Sequence, residues 1–284
     1  MKIGYVQFNP TFGDVDRNLD RAEALIEGTK ADLLVLPELF STGYLITSKE
    51  EIGALAEETP GGKTTQRLAA IAKRNHVHLV AGIAERSGER IFNAAILVSP
   101  KGFVASYRKV HLFFEEKLWF DPGDGEFPVY DIGLCRVGIM VCFDWFFPES
   151  MRTLALKGAQ VVCHPANLVL PYCQTAMVTR CLENRVFAVT ANRTGTEQRG
   201  DKSLHYTGKS QITDTAGNIL SRAGEDEECV GVFDIDPAKS LDKQLNPHNN
   251  LFGDRRPDFY GEICRRSDRG AQAASQKPQG KRSV

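Results

Sequence analysis

The sequence predicts an α/β fold in which helices cover the outer faces of sheets. Segments with the helical period of apolar residues alternate with short apolar runs, which are typical of strands buried on both faces. Hairpin signals separate some of these strands, and a simple doubly wound sheet would not need them. The 284 residues are enough to bury a substantial core as one large domain.

The N-terminal half alternates between strand and helix. KIGYVQFN predicts a buried strand, residues 16–28 predict a helix, and DLLVLPELF predicts a second buried strand. A helix over residues 64–75 leads into three β-rich runs. The turn signals S-G-E-R and S-P-K-G separate these runs and predict hairpins.

The C-terminal half continues the alternation. RVGIMVC predicts a strand that ends in a sharp turn, and Pro148 suits the first turn of the helix that follows. After the next strand we expect a helix over residues 173–184, a strand at VFAVTAN, a hairpin within SQITDTAGNILSR and a last strand at CVGVFDID. The order helix, Gly, strand, Pro occurs in residues 16–39 and again in 148–169, which suggests an internal duplication.

Composition and charge exclude several classes of protein. A formal net charge of −1 gives no basic excess for nucleic acid, and no run of eighteen apolar residues predicts a membrane span. The N-terminus lacks a signal-peptide pattern, and seven cysteines without a C-x-x-C pair suit reduced thiols. We therefore expect a cytoplasmic protein. Residues 267–284 are rich in Gln, Ser, Lys and Arg and have no large apolar side chain before the final Val284. They predict a disordered polar tail, which leaves residues 1–266 as the domain.

Three reactive or charged residues lie where the pattern predicts buried positions. Glu38 follows LLVLP, Lys109 lies within SYRKVHLF, and Cys142 ends RVGIMVC. Taken singly, a capping carboxylate, a solvated lysine and an inert buried thiol are the commoner interpretations. Together they form a chemical set, because a carboxylate can accept the proton of an attacking thiol. An ammonium group and the backbone N–H of Phe143 would then stabilise the oxyanion.

The segments around these residues resemble a known family. LPELFSTGY, YRKVHLFFEEKLWFDPGD and GIMVCFDWFFPESMRTLALKGA are similar to the three signature segments of the nitrilase superfamily of carbon–nitrogen hydrolases. The resemblance runs from the N-terminus to about Tyr260. It implies a four-layer α-β-β-α sandwich with an internal pseudo-twofold, a homodimer or higher homo-oligomer, and hydrolysis without a metal or organic cofactor.

The resemblance also implies a role for each matching residue. Glu38 matches the general base, Lys109 the oxyanion-stabilising lysine and Cys142 the nucleophile. A second glutamate that positions the lysine corresponds to Glu116, with Glu115 as the alternative. The implied reaction is a ping-pong hydrolysis of a small molecule through a thioester.

The substrate is expected to be a small amide. Strict nitrilases have Cys-Trp-Glu at the nucleophile, whereas this chain has Cys-Phe-Asp, and this difference favours amide or carbamoyl cleavage over nitrile hydrolysis. N-carbamoyl compounds are therefore one alternative. Small nitriles are another, because CFDWFFPE and HPANLV resemble thermophile-type members described as nitrilases or amidases of small aliphatic substrates. Arg180 and Arg193 are weaker candidates for binding a substrate carboxylate. The candidate pocket residues are Tyr44, Trp145, Phe146, Asn167 and Tyr172.

Three other functions compete with this one. A papain-type hydrolase would use His111 or His164 as its base, and replacement of Glu38 by Gln would spare its activity. A non-catalytic scaffold with the same fold would not become acylated at Cys142. An NAD-binding protein is excluded, because no G-x-G-x-x-G follows the early strands.

Overall fold

The computed structural model describes residues 1–265 and divides the chain into two compact units. The first unit comprises Met1–Asp242, and the second begins at Lys243. The tail predicted over residues 267–284 lies outside the described residues. The tail and the domain boundary at residue 266 therefore stay predictions.

The elements of the first unit follow the predicted alternation, with short helices and one hairpin added. The helices are α1 (Val15–Ile26), α2 (Lys49–Leu55), α3 (Lys63–Asn75), α4 (Glu116–Trp119), α5 (Pro148–Leu156) and α6 (Cys173–Asn184). The strands are β1 (Lys2–Gln7), β2 (Leu33–Val35), β3 (Glu57–Glu58), β4 (His78–Ser87), β5 (Arg90–Ser99), β6 (Gly102–Arg108), β7 (Val129–Asp131), β8 (Arg136–Ile139), β9 (Val161–Ala166), β10 (Phe187–Asn192), β11 (Thr196–Arg199), β12 (Lys202–His205), β13 (Gln211–Thr213), β14 (Ile219–Arg222) and β15 (Cys229–Asp234).

Two sheets form the centre of the first unit. The first sheet has the order β15-β1-β2-β4-β5-β6, with β3 beside β4, and the second has the order β14-β13-β10-β9-β8-β7. The sheets face each other through contacts of β1 with β10 and of β2 with β9. Helices α1 and α3 pack on the first sheet, and α5 and α6 pack on the second. The predicted four-layer α-β-β-α sandwich is confirmed.

The predicted duplication appears in the strand directions. The first sheet has three parallel strands, β1, β2 and β4, followed by two antiparallel steps to β5 and β6. The second has parallel β8, β9 and β10, again followed by two antiparallel steps to β13 and β14. An antiparallel edge strand completes each sheet, β15 in the first and β7 in the second.

Local sequence explains how α1 docks on the first sheet. The Asp14 side chain caps the helix by accepting the N–H of Arg17. Leu19, Ala22 and Ile26 lie on one stripe and are fully buried in the core that α1 shares with the first sheet. The sequence predicts this stripe with Leu25 as a fourth member, and Leu25 is partly buried against the same core.

Strand ends bring the candidate residues to one region. Glu38 lies shortly after β2, and Lys109 follows β6 directly. Because β6 is antiparallel to β5 and β5 to β4, β6 runs in the same direction as β2, so both residues leave the same edge of the first sheet. Cys142 and Asn167 follow the parallel strands β8 and β9 of the second sheet. Strand ends of both sheets therefore supply the site.

The second unit, described from Lys243 to Arg265, is small. It contains a short hairpin of β16 (Gln244–Asn246) and β17 (Asn249–Asn250) and two 3-10 turns, at Pro257–Phe259 and Gly261–Cys264. Across residues 1–265, no helix combines the length and the apolar character that crossing a bilayer requires.

Candidate active site

A buried ammonium group lies between two buried carboxylates. Lys109 Nζ donates to Glu38 Oε1 at 2.7 Å and to both Glu116 oxygens at 2.8 Å. Lys109 and Glu38 are fully buried, and Glu116 is 4 % exposed. Each ion is therefore removed from water and depends on the others for its stabilisation.

The pKa values reflect this mutual dependence. Burial works against the charge of Lys109, but the negative charges of Glu116 and Glu38 outweigh it, so the pKa of Lys109 is raised and the ammonium form is kept. Burial raises the pKa of Glu116, while Lys109 opposes that rise. The ammonium group is thus a permanent positive charge in a water-poor site.

Cys142 lies at a strained turn beside the triad formed by Lys109, Glu38 and Glu116. Its backbone φ is 41°, in the left-handed region that non-glycine residues rarely adopt, and it begins the 3-10 helix Cys142–Phe146. Its Sγ points to the carbonyl of Asn167 at 3.9 Å. Burial first, and then the charge of Glu38, raise the pKa of the Cys142 thiol well above its usual value. The resting group is therefore a thiol that needs a base.

Glu38 has an oxygen free to act as that base. Its Oε1 is occupied by Lys109 and by Asn93, which donates at 2.7 Å, whereas its buried Oε2 has no hydrogen-bond partner. Asn167 fixes the backbone by donating to the Glu38 carbonyl at 2.8 Å. Gly82 allows the close approach of the Glu38 loop, because a Cβ at this position would lie 2.4 Å from Glu38 Cα.

Asp144 holds the turn that presents Cys142. Its carboxylate accepts the N–H of Val141 at 2.9 Å, the Tyr107 hydroxyl at 2.8 Å, and Nδ1 of His111 lies at 2.8 Å. Asp144 is fully buried. Three elements are thus joined at one carboxylate, which locks the strand-to-helix junction.

His164 holds the same turn from the other side. Its Nε2 lies 2.9 Å from the carbonyl oxygen of Cys142, so Nε2 carries the proton, and Nδ1 accepts from the Thr190 hydroxyl at 3.1 Å. Burial lowers the pKa of His164 to about 4, so the ring is neutral. Among the described residues, neither His111 nor His164 is hydrogen-bonded to Cys142 Sγ.

The neutral state of His164 predicts a pH dependence of stability. In the unfolded state the imidazole of His164 is protonated near pH 6.5, but in the folded state it is protonated only near pH 4. The free energy of unfolding therefore falls as the pH falls through this window, by about 3 kcal/mol in total. His164→Asn removes this contribution. Urea unfolding at pH 7, 5 and 4 is expected to show the gap between wild type and variant narrowing towards pH 4, and a constant gap would contradict it.

An apolar cavity opens at Cys142. It encloses about 330 Å³, including space open to solvent. Its lining residues are Phe113, Cys142, Phe143, Trp145, Phe146, Asn167, Leu168, Val169 and Leu170. None of these side chains is charged, which suits an uncharged ligand. Within residues 1–265 no cluster of three His, Cys, Asp or Glu side chains is arranged to hold a metal ion.

The structure separates the remaining candidates. Trp145 and Asn167 line the cavity, whereas Tyr172 is 59 % exposed and is not among the described lining residues. Tyr44 lies beside the triad and donates its hydroxyl to Glu116 at 2.5 Å. Glu115 points away and pairs with Lys202 at 2.6 Å. Of the two glutamates, Glu116 is the one that contacts the buried lysine.

Both candidate arginines already have protein partners. Arg193 is buried and donates to Glu197 at 2.7 Å and to Asn9 at 2.7 Å. Arg180 donates to the carbonyl of Trp145 at 3.4 Å and to Glu183 at 3.2 Å. A structural role suits both of them better than binding a substrate carboxylate.

Sequence reasoning missed Asn93, Asp144 and Glu197, and it named His164 only as the base of a rival mechanism, not as a support of the Cys142 turn. Asn93 is a polar residue inside the apolar run RIFNAAILV, and His164 lies likewise inside VVCHPA. The rule that singled out Glu38 would have found these two. Asp144 lies inside the aromatic run CFDWFF, so the same rule would have found it too. Glu197 lies in the polar stretch TEQRGDKS, so no local signal marks it.

Comparison with known proteins identifies the family of the chain. A sequence model of the carbon-nitrogen hydrolase family matches residues 2–240. A nitrilase of Pyrococcus abyssi is 50 % identical over 92 % of this chain and 99 % of its own length. An (R)-stereoselective amidase of Pseudomonas sp. is 36 % identical over 94 % of this chain and 96 % of its own.

A solved structure is also similar. It is a Glu-to-Gln mutant of an amidase from Nesterenkonia sp. AN1, with covalent addition of the acetamide moiety of fluoroacetamide at its active-site cysteine. Its TM-score is 0.75 and its identity 28 %, over 92 % of this chain and 96 % of that chain. Sequence motifs, fold, site geometry and these relatives agree that the chain belongs to the carbon–nitrogen hydrolase family.

Proposed function

We propose that this hydrolase cleaves the carbon–nitrogen bond of small uncharged amides through a thioester on Cys142. The observation that carries the proposal is the free Oε2 of Glu38 in a site that also contains the Cys142 thiol and a permanently charged lysine. The site thus contains a nucleophile, a base for its proton and a cation for the oxyanion.

The first half of the reaction forms the thioester. Glu38 removes the Cys142 proton as the sulfur attacks the amide carbon, and the carbonyl π electrons move onto oxygen. Lys109 and the backbone N–H of Phe143 stabilise that oxyanion, and Glu116 holds Lys109 in place. When the intermediate collapses, the carbon–nitrogen bond breaks and Glu38 returns the proton to the leaving ammonia.

The second half regenerates the thiol. Glu38 removes a proton from water, and the hydroxide oxygen attacks the thioester carbon. Lys109 and the Phe143 N–H again stabilise the oxyanion that forms. The carbon–sulfur bond then breaks, the thiol regains the proton, and the carboxylic acid leaves. The sum is amide plus water giving acid plus ammonia, without a redox step.

The cavity favours binding of uncharged acyl groups over charged ones. Its described lining is aromatic and aliphatic apart from Cys142 and Asn167. A substrate carboxylate or ammonium would lose its hydration there without gaining a partner, which is costly. Amides of small apolar acids are therefore preferred over ω-amides of dicarboxylic acids and over N-carbamoyl amines.

Nitrile hydrolysis is the second candidate. The relative from Pyrococcus abyssi, 50 % identical, is named a nitrilase. An apolar cavity accepts a small nitrile as readily as a small amide. The Cys-Phe-Asp sequence at residues 142–144 favours the amide.

The cellular setting is also part of the proposal. All seven cysteines are free thiols, as expected of a protein in the reducing cytoplasm. We infer a homodimer or higher homo-oligomer from the family resemblance alone.

Mass spectrometry tests the chemical step. The protein is mixed with butyramide, quenched in acid within milliseconds to seconds, and digested. The expected result is an acyl mass on the peptide that contains Cys142, and incorporation of one ¹⁸O into the acid when the reaction runs in H₂¹⁸O. Ammonia release without this adduct, undiminished in Cys142→Ala, would overturn the proposed mechanism.

Ammonia release across a substrate panel tests the specificity. The panel contains short aliphatic amides, ω-amides of dicarboxylic acids, N-carbamoyl amines and aliphatic nitriles. We expect kcat/KM to be highest for the uncharged amides. A higher kcat/KM for the nitriles would select the second candidate instead.

A further inference from the structure

Glu197 is a buried carboxylate to which the catalytic scheme assigns no role. It lies on β11 and is 6 % exposed. Its Oε2 accepts from Arg193 at 2.7 Å and from the Tyr206 hydroxyl at 3.0 Å. The same carboxylate accepts the backbone N–H groups of Tyr44 and Leu45, both at 3.2 Å. Four donors from three separate chain segments therefore meet at one side chain.

These contacts fix Tyr44 from two directions. Glu197 holds its backbone, and the ring of Tyr206 packs edge-on against its ring at a centroid distance of 6.2 Å. Tyr206 is itself fixed by its hydroxyl on Glu197 and by Arg193, whose guanidinium lies 4.0 Å from the ring centre. The Tyr44 hydroxyl then donates a hydrogen bond to Glu116 Oε1 at 2.5 Å.

We propose that Glu197, supported by Arg193 and Tyr206, is a positioning residue that acts through Tyr44 on the Glu116–Lys109 pair. The inference rests on the proposed function, because it assigns a purpose to the placement of Lys109. Glu197 is not a catalytic residue, since its recorded contacts are with Tyr44, Leu45, Arg193 and Tyr206 rather than with the reacting groups.

The chemistry of the Tyr44 contact explains why its placement matters. Burial, and then the charge of Glu116, raise the pKa of Tyr44 well above its usual value, so the phenol stays protonated and donates. Donation to a carboxylate favours its charged form and lowers its pKa. A displaced Tyr44 would raise the pKa of Glu116 and weaken the anion that orients Lys109.

A double-mutant cycle tests this route. Glu197→Gln keeps the size of the side chain but loses the charge and one acceptor oxygen, and Tyr44→Phe removes only the hydroxyl. Each single variant is expected to lower kcat about tenfold with KM nearly unchanged. In the Tyr44→Phe background, Glu197→Gln is expected to lower kcat by less than about twofold, because both changes remove the same contact.

The pH profile supplies a second readout. Loss of the Tyr44 donor raises the pKa of Glu116, so the acid limb of kcat moves to higher pH in both single variants and no further in the double variant. Thr196→Ala is the matched control on the same strand, because its hydroxyl contacts only the exposed His205, at 3.0 Å, among the described residues. This control is expected to leave the acid limb in place.

The outcomes separate the inference from the proposed function. The inference alone would be overturned if the effects of Glu197→Gln and Tyr44→Phe on kcat multiply in the double variant while the enzyme still acylates Cys142. Absence of the Cys142 adduct in the wild type would overturn the proposed function and the inference with it. If Glu197→Gln fails to fold, Tyr206→Phe replaces it. The inference would then be overturned if Tyr206→Phe still shifts the acid limb of kcat in the Tyr44→Phe background.

Discussion

Glu38→Gln is expected to lower kcat by about 10³-fold or more while the protein remains folded. The glutamine keeps the Oε1 that accepts from Lys109 and Asn93, so the buried hydrogen bonds survive. Its amide nitrogen replaces the free Oε2 and cannot accept the Cys142 proton. Steady-state kinetics and thermal unfolding of the same preparation measure both expectations.

Glu57→Gln is the matched control for this variant. Glu57 accepts from the backbone and hydroxyl of Thr64, both at 2.7 Å, at the start of α3. Its replacement is expected to change kcat by less than about twofold, because it shares no partner with the site. Retained turnover in Glu38→Gln would instead transfer the role of base to His111 or His164.

Lys109→Met is expected to cost both stability and activity. It leaves Glu38 and Glu116 buried without a cation, and breaking a buried ion pair in this way costs about 3–5 kcal/mol of unfolding free energy. Loss of the oxyanion donor lowers kcat by about 10²–10³-fold. Denaturant unfolding and kcat measured on the variant give the two numbers.

The variant should also change how the free energy of unfolding depends on pH. Burial raises the pKa of Glu116 and Lys109 opposes that rise, so without Lys109 the pKa of Glu116 lies further above its value in the unfolded state. The folded state then binds more protons, and the free energy of unfolding rises as the pH falls. Lys109→Met combined with Glu116→Gln should regain stability without regaining turnover.

An exposed lysine provides the comparison. Lys202 pairs with Glu115 at 2.6 Å, but both side chains are partly open to water. Lys202→Met is expected to cost less than about 1 kcal/mol. An equal loss of stability in the two variants would contradict the argument from burial.

The features that could be predicted from the sequence are those that a single segment determines by itself. Apolar runs with strand or helix period located most main strands and helices α1, α3, α5 and α6. Glu38, Lys109 and Cys142 stood out because each interrupts or ends such a run. The family resemblance then selected Glu116, which the structure places on Lys109 at 2.8 Å.

The remaining features depend on contacts between distant segments. Glu197 lies in the polar stretch TEQRGDKS, where an acidic residue normally faces water. In the fold it is 6 % exposed and accepts the backbone N–H groups of Tyr44 and Leu45, which lie about 150 residues earlier in the chain. The aromatic neighbours of Asp144 indicate a buried position, but its partners Tyr107 and His111 likewise come from another part of the chain. Periodicity describes burial along one element and contains no information about such long-range partners.

In the proposed reaction the two related sheets supply different groups. Glu38 and Lys109, the proposed proton acceptor and cation, follow strands of the first sheet, and Cys142, the proposed nucleophile, follows a strand of the second. Neither sheet has the complete set, so the proposed proton transfer crosses the boundary between the two repeats. The packing between the sheets, where β1 contacts β10 and β2 contacts β9, therefore sets the distance of that transfer.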